Sequence, residues 1–372
     1  MLNKTIFNTE KTDYSGNIHH SLFLGEAPGL FDTVNKLYPK IWDNYKNMKS
    51  LDWDELEFAD DFKTCNTEFK TCPTSISDRM IKTLAWQWEA DSVAARTVLP
   101  VMAPFISSPE LQAAYGRITD NEVLHAATYS EIVRYSFDDP RAVLDEVLKV
   151  KEAMQRLKGV SEVFAELYKA SHEYALGLRE NNQELYNTVI MGVVAMLVLE
   201  RIQFMASFAV TFAIGQTGSF MPIAKSVQKI CQDEFEVHVD LGKIVLTHEF
   251  QTERGKIAYQ QLKPRIHALI KEVVNLELDW VDYLLGDGEP LVGLTPALLK
   301  SWVLHAAGDV YRILKLEPDA SFKIPSKNPL PYMANWMDIS KTQAAPQEQQ
   351  NGQYKVNIIQ RNDSDKVYAV DF

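Results

Sequence analysis

The sequence predicts an all-α protein built from long helices, and three observations carry that reading. Apolar residues recur every three to four positions over most of the chain. Alternation with a period of two, the mark of a half-buried strand, is nearly absent. Proline and glycine gather in short clusters between the periodic stretches, as in "PVMAPFISSPE" and "GDGEPLVGLTP". The 372 residues are 46% hydrophobic and 24% charged, the balance of a globular protein with a large core. That length holds one large domain or two ordinary ones.

Taken in order, residues 1–30 read as a polar arm; "MLNKTIFNTEKTDYSG" lacks the apolar centre of a signal peptide. The first strongly periodic stretch is 78–99, "DRMIKTLAWQWEADSVAARTVL", and the second is 111–135, "LQAAYGRITDNEVLHAATYSEIVRY". A third, "PRAVLDEVLKVKEAMQRL", spans 140–157. Residues 186–218, "YNTVIMGVVAMLVLERIQFMASFAVTFAIGQTG", are apolar apart from Glu200 and Arg201. That run is long enough to cross a bilayer, but a Glu–Arg pair at its centre would be costly in lipid. A helix buried inside a bundle is the better reading. The next helix is "AKSVQKICQDEFEVHVDLGKIVLTHEF", 224–250; its "THEF" begins like a zinc-protease HExxH but continues Gln251, Thr252, so that motif fails. The body therefore spans 31–340. Residues 341–372 are rich in Gln, Asn and Asp, with few branched apolar side chains, and read as a flexible tail that still carries Tyr354 and Tyr368.

The net charge of -12 argues against nucleic acid or an anionic membrane as partner, since both call for a basic surface. Three cysteines, Cys65, Cys72 and Cys231, support neither a disulfide framework nor a zinc ribbon. A reducing, cytoplasmic setting fits them.

The chemistry lies in the helices. In "NEVLHAATYS", Glu122 and His125 are three apart and Tyr129 follows four later, so all three share one helical face. Alone, such a pair is usually solvated. Asp91 lies among apolar neighbours in "WQWEADSVAAR", Glu200 lies in the apolar run, and Glu234 precedes His238 by four. Four helices thus each offer a buried-looking carboxylate, and two add a histidine. This matches the carboxylate-bridged dimetal site of ferritin-like helical bundles. Two divalent ions would balance four carboxylates, which without metal would repel and take up protons. Oxidation of two irons would add two charges, and one bridging oxide would cancel them. The bland alternative is that Asp91, Glu200 and Glu234 are salt-bridged core acids, Glu200 with a neighbouring arginine for example.

With these motifs in place, the sequence closely resembles the radical-generating small subunit of class I ribonucleotide reductase, from "WDNYKNMKSLDW" to the tail. The resemblance implies a homodimer with a diiron site, oxo-bridged when oxidised, although the same ligands suit manganese. It puts one metal on Asp91, Glu122 and His125, and the other on Glu200, Glu234 and His238. It makes Tyr129 the residue that O2 chemistry converts to a stable neutral radical, in an apolar pocket formed with Phe204, Phe208 and Ile230. It makes Trp53, eleven residues after Trp42, a radical-transfer residue, with Asp233 linking it to His125. In the tail it gives Tyr354 and Glu348 an interfacial role, and the end at Phe372 a docking role on the large subunit.

One departure matters. The family usually spaces its last Glu and His three apart, and "DEFEVH" has one residue more. Both spacings fit one helical face, and a one-residue π-bulge would absorb the difference. Glu236 would then point away. Two rivals remain: a related two-metal oxidase or hydroxylase acting on its own substrate, and a ferritin-like iron store. Neither has a use for Tyr129, Trp53 and an aromatic tail together.

Overall fold

The structure, a computed structural model, describes residues 21–25, 31–286, 288–289 and 291–338. Among these residues helices account for all the regular structure, and only two isolated bridges occur, Phe23 with Ile106 and Leu291 with Leu294.

Helices α1 (Pro39–Ser50) and α2 (Ala59–Thr71) lead into two long ones, α3 (Thr74–Met102) and α4 (Pro109–Ser136), which pack along each other. The start of α4 is set locally. Ser108 accepts the Leu111 N–H and Pro109 occupies the first turn, where a missing donor costs nothing. The 140–157 stretch forms two helices, α5 (Pro140–Val147) and α6 (Lys151–Arg156). Its periodicity suggested one. The break lets α6 turn inward, so that Arg156 enters the core with 2% of its surface exposed. Helix α7 (Lys158–Ala175) follows.

The apolar run becomes α8 (Gln183–Val198), a π-helical turn at Leu199–Gln203, and α9 (Met205–Gln216). As one helix, Gln183–Gln216 is long and apolar enough to cross a membrane, yet nearly all of it is buried inside the protein. Its Glu–Arg pair splits: Arg201 lies over the Phe235 ring and bonds Asp309, while Glu200 turns to other acidic side chains. Helix α10 (Met221–Gln232) starts from Phe220 in left-handed backbone (φ 53°). That strained residue is held by its N–H donating to both Glu68 carboxylate oxygens at 3.0 Å, and its ring lies 4.4 Å from Phe69. A second π turn, Asp233–His238, joins α10 to α11 (Val239–Glu249). Helices α12 (Glu253–Leu285), α13 (Pro296–Ile313) and α14 (Pro331–Trp336) pack around this frame.

Four long helical runs therefore meet: α3, α4, α8 to α9, and α10 to α11. The fold is the expected all-α, ferritin-like bundle, and the two π turns touch at its centre. Part of the arm is not polar: Leu22, Phe23 and Leu24 are buried, with backbone bonds from Leu24 N to Phe105 O and from Ser107 N to Leu22 O. Tyr354, Glu348, Tyr368 and Phe372 lie outside the described residues.

Candidate metal centre

Each of the four runs delivers acid to one point. Asp91 comes from α3, Glu122 and His125 from α4, Glu200 from the first π turn, and Glu234 and His238 from the second. None of the six exposes more than 5% of its surface. They form two overlapping groups in which potential ligand atoms lie within 4.8 Å of one another: Asp91, Glu122, His125 and Glu234, and Glu122, Glu200, Glu234 and His238.

Glu122 and Glu234 belong to both groups, and their oxygens show how. Glu234 Oε1 is 3.0 Å from His125 Nδ1, and its Oε2 is 2.7 Å from His238 Nδ1. Glu122 Oε2 is 3.8 Å from His125 Nδ1, and its Oε1 is 3.6 Å from His238 Nδ1. Each of these carboxylates presents one oxygen to each imidazole. The family resemblance assigned Glu122 to one half and Glu234 to the other; the geometry has them span both. Spacing along a helix orders side chains on a face but does not say which neighbouring helices a carboxylate reaches.

The extra residue before His238 is accommodated by the π turn, which keeps Glu234 and His238 on one side, while Glu236 is half-buried and outside both groups. The first π turn, at Glu200, left no trace in the sequence because only one candidate ligand sits on it.

Elementary electrostatics supports a cationic guest. Both oxygens of Asp91 and of Glu122, together with Glu200 Oε2, are buried without a hydrogen-bond partner. So many orphaned acceptors in one place would be very unfavourable in a dry core. Burial, reinforced by the neighbouring carboxylates, pushes Asp91 and Glu200 well above the usual carboxylate range and raises Glu122. Burial acts the same way on Glu234, but the charge on His238 and hydrogen bonds from Glu200 and both imidazoles hold it well below. Burial works to lower His125 and His238, yet their acidic partners raise both. In metal-free protein, then, protons hold the cluster together, and cations would displace them. Carboxylate oxygens with two imidazoles suit iron, manganese or related divalent ions and not a soft thiophilic metal.

Behind the cluster, Asp233 Oδ2 accepts from His125 Nε2 at 3.0 Å and from Trp53 Nε1 at 2.8 Å. With its Nε2 proton so held, His125 in its neutral form would direct the Nδ1 lone pair at a bound ion. Trp53 sits on the connection between α1 and α2, its ring 6.1 Å from that of His125 and 19° from parallel. A salt bridge between Arg117 and Asp52 pins this connection to α4. On the other imidazole, His238 Nε2 is 3.4 Å from the Asn121 amide, whose own oxygen has no partner. Turned over, that amide accepts the Nε2 proton. Sequence reading passed over both Asn121 and Arg117, which look like ordinary helix residues.

Tyr129 is fully buried, one turn beyond His125, and its hydroxyl faces the Asp91 carboxylate outside ordinary hydrogen-bond geometry. Burial, then the Asp91 carboxylate beside it, raises the phenol well above its ordinary range, so it stays protonated. Phe204, Phe208 and Ile230 are buried on the adjoining helices; the Phe204 ring packs 5.6 Å from Phe208 and 6.2 Å from Trp86.

Comparison with known proteins follows the same lines. Residues 31–329 match the family described as "Ribonucleotide reductase, small chain". The chain is 26% identical to ribonucleoside-diphosphate reductase 1 subunit beta of Escherichia coli O157:H7, covering 95% of this chain and 96% of that one. It is 23% identical to the subunit beta of Enterobacteria phage T4, over 98% and 97%. Among solved structures it is similar to the ribonucleotide reductase R2 subunit from Clostridium botulinum, with a TM-score of 0.77, 19% identity and coverage of 91% and 99%. It is also similar to the dimanganese(II) NrdF of Streptococcus sanguinis, with a TM-score of 0.66, 12% identity and coverage of 83% and 99%.

Proposed function

The chain belongs to the ribonucleotide reductase small-chain family, and from that premise we propose that it generates and stores the radical used by the enzyme's large subunit. The observation that carries the proposal is the pair of bridging-competent carboxylates, Glu122 and Glu234, beside a sealed phenol. That arrangement has a use if two ions sit side by side and an oxidisable side chain lies next to them.

Asp91, Glu122, His125, Glu200, Glu234 and His238 would hold the two ions, iron in our reading, with manganese suited to the same ligands. The bound pair would supply the electrons that activate O2 and the oxidising power to take one electron from Tyr129. The rest falls to the chain itself. Tyr129 gives up an electron and its hydroxyl proton, and the Asp91 carboxylate is the base beside it. The apolar walls, Phe204, Phe208 and Ile230 among them, keep water and reductants away from the resulting neutral radical. Asp233 holds the imidazole of His125 and the indole of Trp53 on one oxygen, which suits a path for moving an electron and a proton between the site and the surface. Tyr354 and Glu348, with the chain's end at Phe372, would continue that path and dock the large subunit, the protein acting as a homodimer in the cytoplasm.

A two-metal oxidase with its own substrate would need the six ligands but not Tyr129 or the Trp53–Asp233–His125 link. The test is low-temperature electron paramagnetic resonance of protein loaded with iron(II) and exposed to air. A tyrosyl signal relaxed by a neighbouring metal pair is expected. Two bound ions with no tyrosyl signal would sink the radical assignment.

A further inference from the structure

Both π turns carry candidate ligands, and each is met by a buried side-chain donor from a distant part of the chain. A π turn replaces i→i+4 bonds with i→i+5 bonds and disturbs the carbonyl ladder where it joins ordinary helix. Carbonyls there benefit from an external donor. At the first turn, the Arg156 guanidinium donates to the Gln203 carbonyl, and the Gln203 side-chain amide returns a bond to Arg156 O at 2.6 Å. At the second, Asn44 Nδ2 of α1 donates to the Val237 carbonyl at 3.1 Å. Asn44 exposes 6% of its surface and Arg156 2%.

The setting of Arg156 is built for this reach. Its fork meets Glu277 through two bonds, 2.7 Å from Nε and 2.6 Å from Nη2. Its plane lies over Trp86 at 3.8 Å and near Trp280 at 4.4 Å. Charge and faces are thus satisfied before the remaining N–H groups turn to the helix. An isolated ion pair for stability would be a poor use of a core arginine, because well-packed apolar residues usually serve as well.

We propose that Arg156 and Asn44 are positioning residues that brace the two π turns and so set the geometry of the candidate metal ligands. Arg156 acts through Glu200, which belongs to one half of the cluster. Asn44 acts on the turn bearing Glu234, shared by both halves, and His238. The two braces therefore have different consequences. Losing the first should loosen one ion and losing the second should loosen both. This rests on the two-metal reading of the site.

The test uses the full chain, with cobalt(II) titrated anaerobically as probe and hydrogen exchange measured on metal-free protein. To avoid stranding a buried charge, Arg156→Met is combined with Glu277→Leu; Asn44→Leu is nearly isosteric. The double variant is expected to bind one cobalt as wild type does and the other about 10- to 100-fold more weakly. Asn44→Leu is expected to weaken both. Amides of Leu199–Gln203 and of Asp233–His238, respectively, should exchange faster. Wild-type titration in both variants, or equal weakening of both ions in the double variant, would overturn the proposal. Should the wild-type chain itself bind no cobalt pair, the two-metal reading falls, and exchange in metal-free protein still decides the bracing. Unchanged exchange in both turns refutes it.

Discussion

Replacing Tyr129 by Phe removes one oxygen from a fully enclosed position where it meets the Asp91 carboxylate only outside ordinary hydrogen-bond geometry. A buried polar group without a partner costs about 1–3 kcal/mol, and the phenyl ring keeps nearly all the volume. Metal-free Tyr129→Phe should therefore be more stable than wild type, by about 1–2 kcal/mol once a small void is allowed for. Unfolding entropy near 2.1 cal/mol/K per residue, over roughly 300 helical-domain residues, converts this to a rise of about 2–3 °C in melting temperature. Scanning calorimetry of the two metal-free proteins side by side reads the shift. Loaded with iron and exposed to air, the variant should bind metal normally and give no tyrosyl resonance. A melting temperature lower than wild type would show that the hydroxyl is bonded after all. A wild-type resonance would remove Tyr129 from the radical role.

Three further outcomes are expected. Asp233→Asn leaves the Trp53 and His125 contacts only neutral hydrogen bonds, so metal affinity should drop about 10- to 100-fold, read by equilibrium titration; unchanged affinity would mean the Asp233 charge does not support His125. Glu249, buried and accepting a bond from Tyr186, is pushed up to about 7 by burial, from an ordinary 4.5. The fold thus favours its neutral form, and its contribution is fully present below pH ~4.5 and lost as pH rises toward ~7, by up to about 3 kcal/mol. Glu249→Gln keeps the Tyr186 bond, so relative to wild type it should gain stability between pH 5 and pH 8 in urea unfolding; a pH-independent difference would refute this. Finally, a chain ending before residue 345 should assemble metal and radical yet support no nucleotide reduction, and Tyr354→Phe should bind the large subunit but not turn over. Normal turnover by Tyr354→Phe would move the interfacial role to another residue.

The architecture was legible because burial imposes a period. The α3 and α4 stretches were visible as helices, and the 186–218 run was readable as a core helix because Glu200 and Arg201 sit where lipid would not tolerate them. The six acids and imidazoles were recognisable for the same reason: charge inside an apolar pattern needs an explanation. What escaped were properties of three-dimensional reach. Nothing along the chain says that Glu122 and Glu234 each face both imidazoles, that Arg201 turns to Asp309 and not to Glu200, or that Arg156 crosses to Gln203. The break in the 140–157 stretch was missed because α5 and α6 are each regular, and the turn between them serves Arg156 and not any local signal.

The π turn at Asp233–His238 also keeps the helix in phase across an extra residue. In a straight helix each residue advances the side chains by about 100°. Ile223, Val227 and Ile230 before Asp233–His238, and Leu241, Val245 and Leu246 after it, all reach the core, with the widened turn setting the angular offset between the two sets. Without that widening, the extra residue of "DEFEVH" would swing everything downstream by about a quarter turn. Either the ligands or the apolar stripe of α11 would then face the wrong way. The extra residue and the widened turn therefore stand or fall together: losing both at once would restore the commoner Glu–His spacing and leave α11 in phase.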